Sequence, residues 1–188
     1  MWWHDRGERL GLIRLAAAIA IAATAGACFQ PLYGERTLTA GGAPLRDMMA
    51  AVDVVQIDAP NGTPLARIAV ETRNELLFDI TGGSGPAPYT HKLIVRLKPS
   101  TAILIVDPTS QRNEYENFGL EANYTLVEIV SNKRVMTGLA STRVTYTVPG
   151  LQQRFTKARA ARDAETRAAK LIADQIRTRL ASYFVAGT

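Results

Sequence analysis

Cysteine is almost absent from this 188-residue chain, which carries only Cys28. An internal disulfide framework and a multi-cysteine metal cluster are therefore excluded. Histidine is nearly as scarce. After the first four residues the chain holds only His91, at the entrance of a strand pattern where a surface position is expected rather than a catalytic one. No Gly-x-Ser-x-Gly elbow occurs, and no His/Cys/Asp set has metal-ligand spacing. Gly82, Gly83 and Gly85 follow a helical pattern and precede a strand, the wrong setting for a phosphate loop. Glu114 and Glu116 read as a solvated polar loop. These gaps leave no catalytic constellation, no cofactor site and no metal site, so an enzyme is not expected. With 47% apolar and 21% charged residues, neither wholesale disorder nor a polytopic membrane protein fits.

Charge is also missing from one long stretch, between Arg14 and Glu35. Leu15 to Ala23 is apolar and Ala-rich, follows Arg6, Arg9 and Arg14, and gives way to small residues ending at Cys28. That three-part pattern is a secretory signal, assigned to residues 1–27. The run is short and weakly apolar for a permanent anchor, although a retained N-terminal membrane helix stays open. Ala25-Gly26-Ala27-Cys28 resembles a lipobox, with Ala25 where such motifs favour Leu. Lipidation of Cys28 and ordinary cleavage near Ala-x-Ala are the two processing routes. An unpaired thiol exposed to an oxidising compartment is a liability, which favours the first. Several acyl chains on one residue would hold the protein to a membrane durably. Residues 28–46, punctuated by Pro31, Gly34, Gly41, Gly42 and Pro44, read as a lipidated tether.

The net charge is +5, and it is unevenly placed. Residues 1–27 carry +1, residues 28–153 carry −1, and residues 154–188 carry +5. The excess therefore sits on the C-terminal segment. Its cations either solvate one helix face or meet an acidic partner or anionic headgroups. Nucleic acid is not expected, since no stacking aromatics interleave with the basic residues.

Residues 47–188 read as a single α+β domain of order β-α-β-β-β-α: a four-stranded sheet with two helices packed on one face. Ala51 to Ile57 is the first strand. Thr63-Pro64 opens a helix whose apolar stripe Leu65, Ile68, Thr72 and Leu76 carries it to about Phe78. Lys92 to Lys98 alternates, with Leu93, Val95 and Leu97 inward; Pro99 is expected to kink or bulge the strand before a second run, Ala102 to Val106. Asp107 to Asn113 reads as a turn. Phe118, Leu120, Ala122, Tyr124 and Leu126 share a face of a long strand, Ser131-Asn132-Lys133 closes a hairpin, and the return covers Arg134 to Val148. A final helix opens near Thr156 with the stripe Ala161, Ala164, Ala168, Ile172, Ile176, Leu180 and Tyr183.

Cys28-Phe29-Gln30-Pro31-Leu32-Tyr33-Gly34 directly after an export signal resembles the start of alphaproteobacterial LptE, the lipopolysaccharide-assembly lipoprotein. The element order and the Asn61-Gly62-Thr63-Pro64-Leu65 helix entry are similar too. The resemblance implies a non-catalytic outer-membrane lipoprotein, lipid-anchored on the periplasmic side, that plugs and helps assemble the LptD β-barrel and takes part in inserting lipopolysaccharide into the outer leaflet. On that reading Arg112, Lys133, Arg134, Arg96 and Lys98 are candidate contacts for lipid A and core phosphates, which Arg and Lys recognise by charge-assisted hydrogen bonds. The alternative is a periplasm-facing lipoprotein that binds another lipid or protein ligand.

Overall fold

The computed structural model describes residues 37–82, 88–107, 112–147 and 154–187. From Leu38 onward the chain forms one compact unit. In chain order its elements are α1 (Leu45–Ala50), β1 (Val52–Val54), α2 (Pro64–Thr81), β2 (His91–Asp107), β3 (Arg112–Glu128), β4 (Arg134–Thr147) and α3 (Arg154–Ala186). The strands lie in the order β1-β2-β3-β4. β1 runs parallel to β2, which requires the α2 crossover between them, and the other pairs are antiparallel hairpin neighbours. The α+β architecture expected from the patterning is present, with α1 as a third, short helix.

Local chemistry explains most boundaries. Thr63 caps α2: its hydroxyl oxygen accepts from the Ala66 N–H at 3.2 Å, and Pro64 fills the first helical position. The helix outlasts the expected Phe78 because its stop is Gly82, left-handed at φ 58°, whose N–H donates to the Phe78 carbonyl at 2.8 Å. α2 buries Ile68, Ala69, Thr72, Leu76 and Ile80. α3 offers a wider seam than its stripe implied, with Ala164, Ala168, Ala169, Ile172, Ala173, Ile176, Leu180 and Ala181 all fully buried. At its end Phe184 turns inward and Tyr183 stays half-exposed, the reverse of the expected order; four residues after Leu180 fits the 3.6-residue period as well as three. α3 also starts at Arg154, before Thr156.

The inward strand faces alternate as expected. Leu93 and Val95, Phe118, Leu120, Ala122, Tyr124 and Leu126, and Ala140, Val144 and Tyr146 are buried toward the helices. β1 is shorter than the expected 51–57. Only three residues pair, the Val55 N–H adds a bond to the Leu93 carbonyl at 3.0 Å, and Ile57 is buried outside the ladder. Its hydrophobicity signalled burial rather than pairing. The break expected at Pro99 does not occur: β2 continues, with Pro99 opposite Leu120, and the register shifts fall at 103–106. His91 N–H and the Leu93 carbonyl both point toward the β1 side, so Pro99, of the same parity, lacks its N–H where no neighbour needs one.

Three further expectations change. Within the segment expected as a tether to residue 46, Leu38 bridges Pro44, the Thr39 N–H donates to the Ala43 carbonyl at 2.8 Å, and the Ala40 N–H donates to the Phe184 carbonyl at 3.1 Å. Glycine and proline here shape a docked turn instead of a free linker. His91 is 9% exposed rather than a surface residue, because α3 ends over it: its ring meets Phe184 edge-on at 5.3 Å. The turn expected over Asp107 to Asn113 is shorter, because Asp107 pairs with Arg112 and Val106 with Asn113 in the β2–β3 ladder. Residues 1–27, Cys28, the remainder of the tether to residue 36, positions 83–87 of the expected glycine-rich loop and positions 108–111 of that turn lie outside the described residues.

Candidate functional site

β3 decides which candidate cations can act together. Its 17 residues extend roughly 50 Å at the usual rise per residue. Arg112 opens the strand opposite Asp107, at the end of the sheet formed by the β2–β3 hairpin. Lys133, in the β3–β4 turn, and Arg134, the first residue of β4, sit at the other end, so no single small ligand reaches all three. That turn is tied by the Glu128 N–H to the Lys133 carbonyl at 3.0 Å and by Ser131 Oγ to Glu128 at 2.5 Å, with Asn132 at φ 52°. At its tip Val130 is 94% exposed beside half-exposed Ile129. The Lys92 ammonium reaches Asn132 Oδ1 at 3.4 Å.

Arg96 and Lys98 are on the sheet face away from the helices, opposite Asn123 and Glu121. Cross-strand register adds two cations to that face. Arg134 lies in the row Asp53, Lys92, Val127, and Arg143 in the row Ser100, Gly119. Lys92, Arg96, Lys98, Arg134 and Arg143 thus share an open face with the acids Asp53 and Glu121. Strand alternation predicts the three β2 cations, whereas Arg143 becomes their neighbour only through the β3–β4 register.

The charge on α3 is less available than its +5 suggests. The Lys157 ammonium bonds Glu116 at 2.8 Å, Arg167 bonds Asp163 at 2.8 Å, Arg177 is 3.9 Å from Asp79, and Arg67 of α2 takes Glu165 at 2.5 Å. Burial raises the Tyr124 pKa, and the nearby positive charge of Arg179 opposes that rise. Glu116 is a clear departure from the solvated loop expected of it. It lies in β3, 5% exposed, and accepts from the Tyr146 hydroxyl at 2.6 Å as well as from Lys157. Burial and then this carboxylate push the Tyr146 pKa far up, so Tyr146 remains a donor. Desolvation also raises Asp79 despite the opposing pull of Arg177. The Glu116–Tyr146–Lys157 group joins β3, β4 and the start of α3. Residues 30 and 41 positions apart give no local signal for it. Among the described residues no group of His, Cys, Asp and Glu is placed to hold a metal ion.

The family model described as LptE, lipopolysaccharide-assembly, matches residues 50–180. The chain belongs to the LptE family. No curated protein matches it. Among solved structures, a candidate lipoprotein from Caulobacter crescentus CB15 is similar at 17% identity and a TM-score of 0.59, covering 77% of this chain and 97% of its own. Rare lipoprotein B from Shewanella oneidensis follows at 14% identity and a TM-score of 0.51, covering 72% and 96%. At such identities these likenesses concern the fold alone. The LptE match spans α2, all four strands and most of α3 and so includes Arg96, Lys98, Arg112, Lys133 and Arg134, whereas most of α1, the turn before it and the end of α3 with Tyr183 and Phe184 lie outside it.

Proposed function

We propose that this LptE-family chain is a non-catalytic lipoprotein of the outer membrane, anchored through Cys28 on the periplasmic side, that plugs and helps assemble an LptD β-barrel and takes part in lipopolysaccharide transport to the outer leaflet. The observation that carries the reading is the family match over residues 50–180 on a body with the corresponding α+β fold. The electrostatics agree with it. Lipid A and the inner core present phosphates and carboxylates, and the open sheet face presents Arg96, Lys98 and Arg134, with Lys133 beside them at the turn. Arg112, at the opposite end of the sheet, would serve a separate contact.

The deciding experiment is copurification from outer membranes. A tagged chain brings down an LptD-type barrel; recovery as a free monomer from that fraction contradicts the plug. Cys28→Ser moves the protein out of the membrane fraction if the anchor is lipid. Lipopolysaccharide affinity, measured at low salt so that screening does not mask it, falls in a Lys133→Ala, Arg134→Ala variant and separately in Arg112→Ala. Unchanged affinity with all three replaced removes these residues from the site.

A further inference from the structure

A sheet with four strands has two edges, and this one treats them differently. β2 is covered by β1 only over residues 91–93, and the rest of its edge carries Pro99 and two register shifts, devices that discourage pairing. β4 forms the other edge over 14 residues, with no proline and no register shift from Met136 to Thr147. One residue of it is guarded. The Ser141 N–H donates to Gln175 Oε1 at 3.3 Å and its carbonyl accepts from Gln175 Nε2 at 3.2 Å, so the α3 amide imitates a neighbouring strand at that point.

The alternation of an antiparallel ladder then fixes the rest: Thr137, Leu139, Arg143, Thr145 and Thr147 aim their N–H and C=O groups the same way as Ser141. Among the described residues, no partner takes them. Beside the last of these lies a cavity of about 370 Å³ between β4 and α3, lined by Thr145, Tyr146, Thr147, Thr156, Ala160, Asp163 and Arg167. A strand added there would satisfy the open edge and drop its inward side chains into that space.

Charge selects the occupant. Arg143 borders the edge, Arg167 borders the cavity, and exposed Arg159 lies one turn before Asp163, the acid already held by Arg167. A second copy of this chain would bring Arg143 and Arg134 of its own β4 against these cations, a like-charge pairing. We propose that β4 from Arg143 to Thr147, with the facing surface of α3, accepts an extended acidic segment of a partner polypeptide as a fifth strand. The proposal goes beyond the barrel reading and does not depend on which protein supplies the segment.

The test uses the intact ¹⁵N-labelled chain in detergent and a capped nine-residue peptide alternating Glu with Val and Thr. Amide exchange at Arg143 and Thr145 slows about tenfold or more on binding, as expected for edge pairing. The same peptide N-methylated at alternate amides loses the effect. Thr145→Pro removes one outward N–H without touching the β3 ladder and abolishes binding. Arg143→Glu, which keeps every backbone group, weakens the acidic peptide about fivefold or more and favours a Lys-substituted one. Absence of binding at millimolar peptide, equal affinity of the N-methylated peptide, or unchanged affinity in both variants overturns the proposal. So does a concentration-dependent dimer with β4 amides protected in the absence of peptide, which would assign the edge to a second copy. None of these results bears on copurification with a barrel.

Discussion

Replacing Tyr146 with Phe removes one hydroxyl from the inside of the molecule and leaves every apolar contact of the ring. The hydroxyl donates at 2.6 Å to Glu116, whose side chain is 7% exposed. A hydrogen bond to a charged group contributes about 1.5–3 kcal/mol. Lys157 cannot replace it, since that ammonium already bonds the other carboxylate oxygen and its own side chain is 47% exposed, where water screens it. The expected loss from Tyr146→Phe is therefore about 2 kcal/mol, and for a domain of this size that lowers Tm by about 4–8 °C. Glu116→Gln and the double variant complete a cycle whose coupling should reach about 1 kcal/mol or more. Urea denaturation followed by circular dichroism supplies all four stabilities. A single-variant loss below about 0.5 kcal/mol, the usual surface range, with additive effects in the cycle, would refute the view that this group holds the start of α3 to the sheet.

Gly138 faces Tyr124 across the β3–β4 ladder, and a Cβ there would lie 2.4 Å from the ring carbon Cζ; Gly119 would meet only the rotatable Ser100 hydroxyl. Gly138→Ala should cost about 1–3 kcal/mol, as overpacking does, and Gly119→Ala much less, read from the two unfolding midpoints. Thr63→Ala removes the α2 cap and should cost about 1 kcal/mol, seen in the same assay. Burial holds His91 below its ordinary 6.5, with Glu128 opposing; the unfolded chain then binds the proton more readily, so this stabilisation is complete above pH 6.5 and is lost as pH falls through the depressed value. Tm of the native protein should fall more steeply than that of His91→Phe between about pH 7.5 and about pH 5, and parallel curves would count against the burial account.

Much of this molecule is written locally. The spacing Ile68, Thr72, Leu76 places one face of α2 on the core, and Thr63-Pro64 starts it, because capping and helical periodicity act within a few residues. Alternation along β2 and β3 assigns Leu93, Val95, Leu120 and Leu126 to the inside and Arg96 and Lys98 to the outside for the same reason. The near absence of cysteine and histidine likewise limits the chemistry before any fold is known. Other properties belong to the tertiary structure. Pro99 reads as a break until β1 proves too short to cover the edge on which it sits. His91 and Glu116 read as surface groups until α3 ends over the one and Tyr146 meets the other. Arg112 and Lys133 look alike in sequence and stand at opposite ends of β3. Cross-strand register, edge position and burial depend on residues tens of positions apart, and no pattern within one segment encodes them.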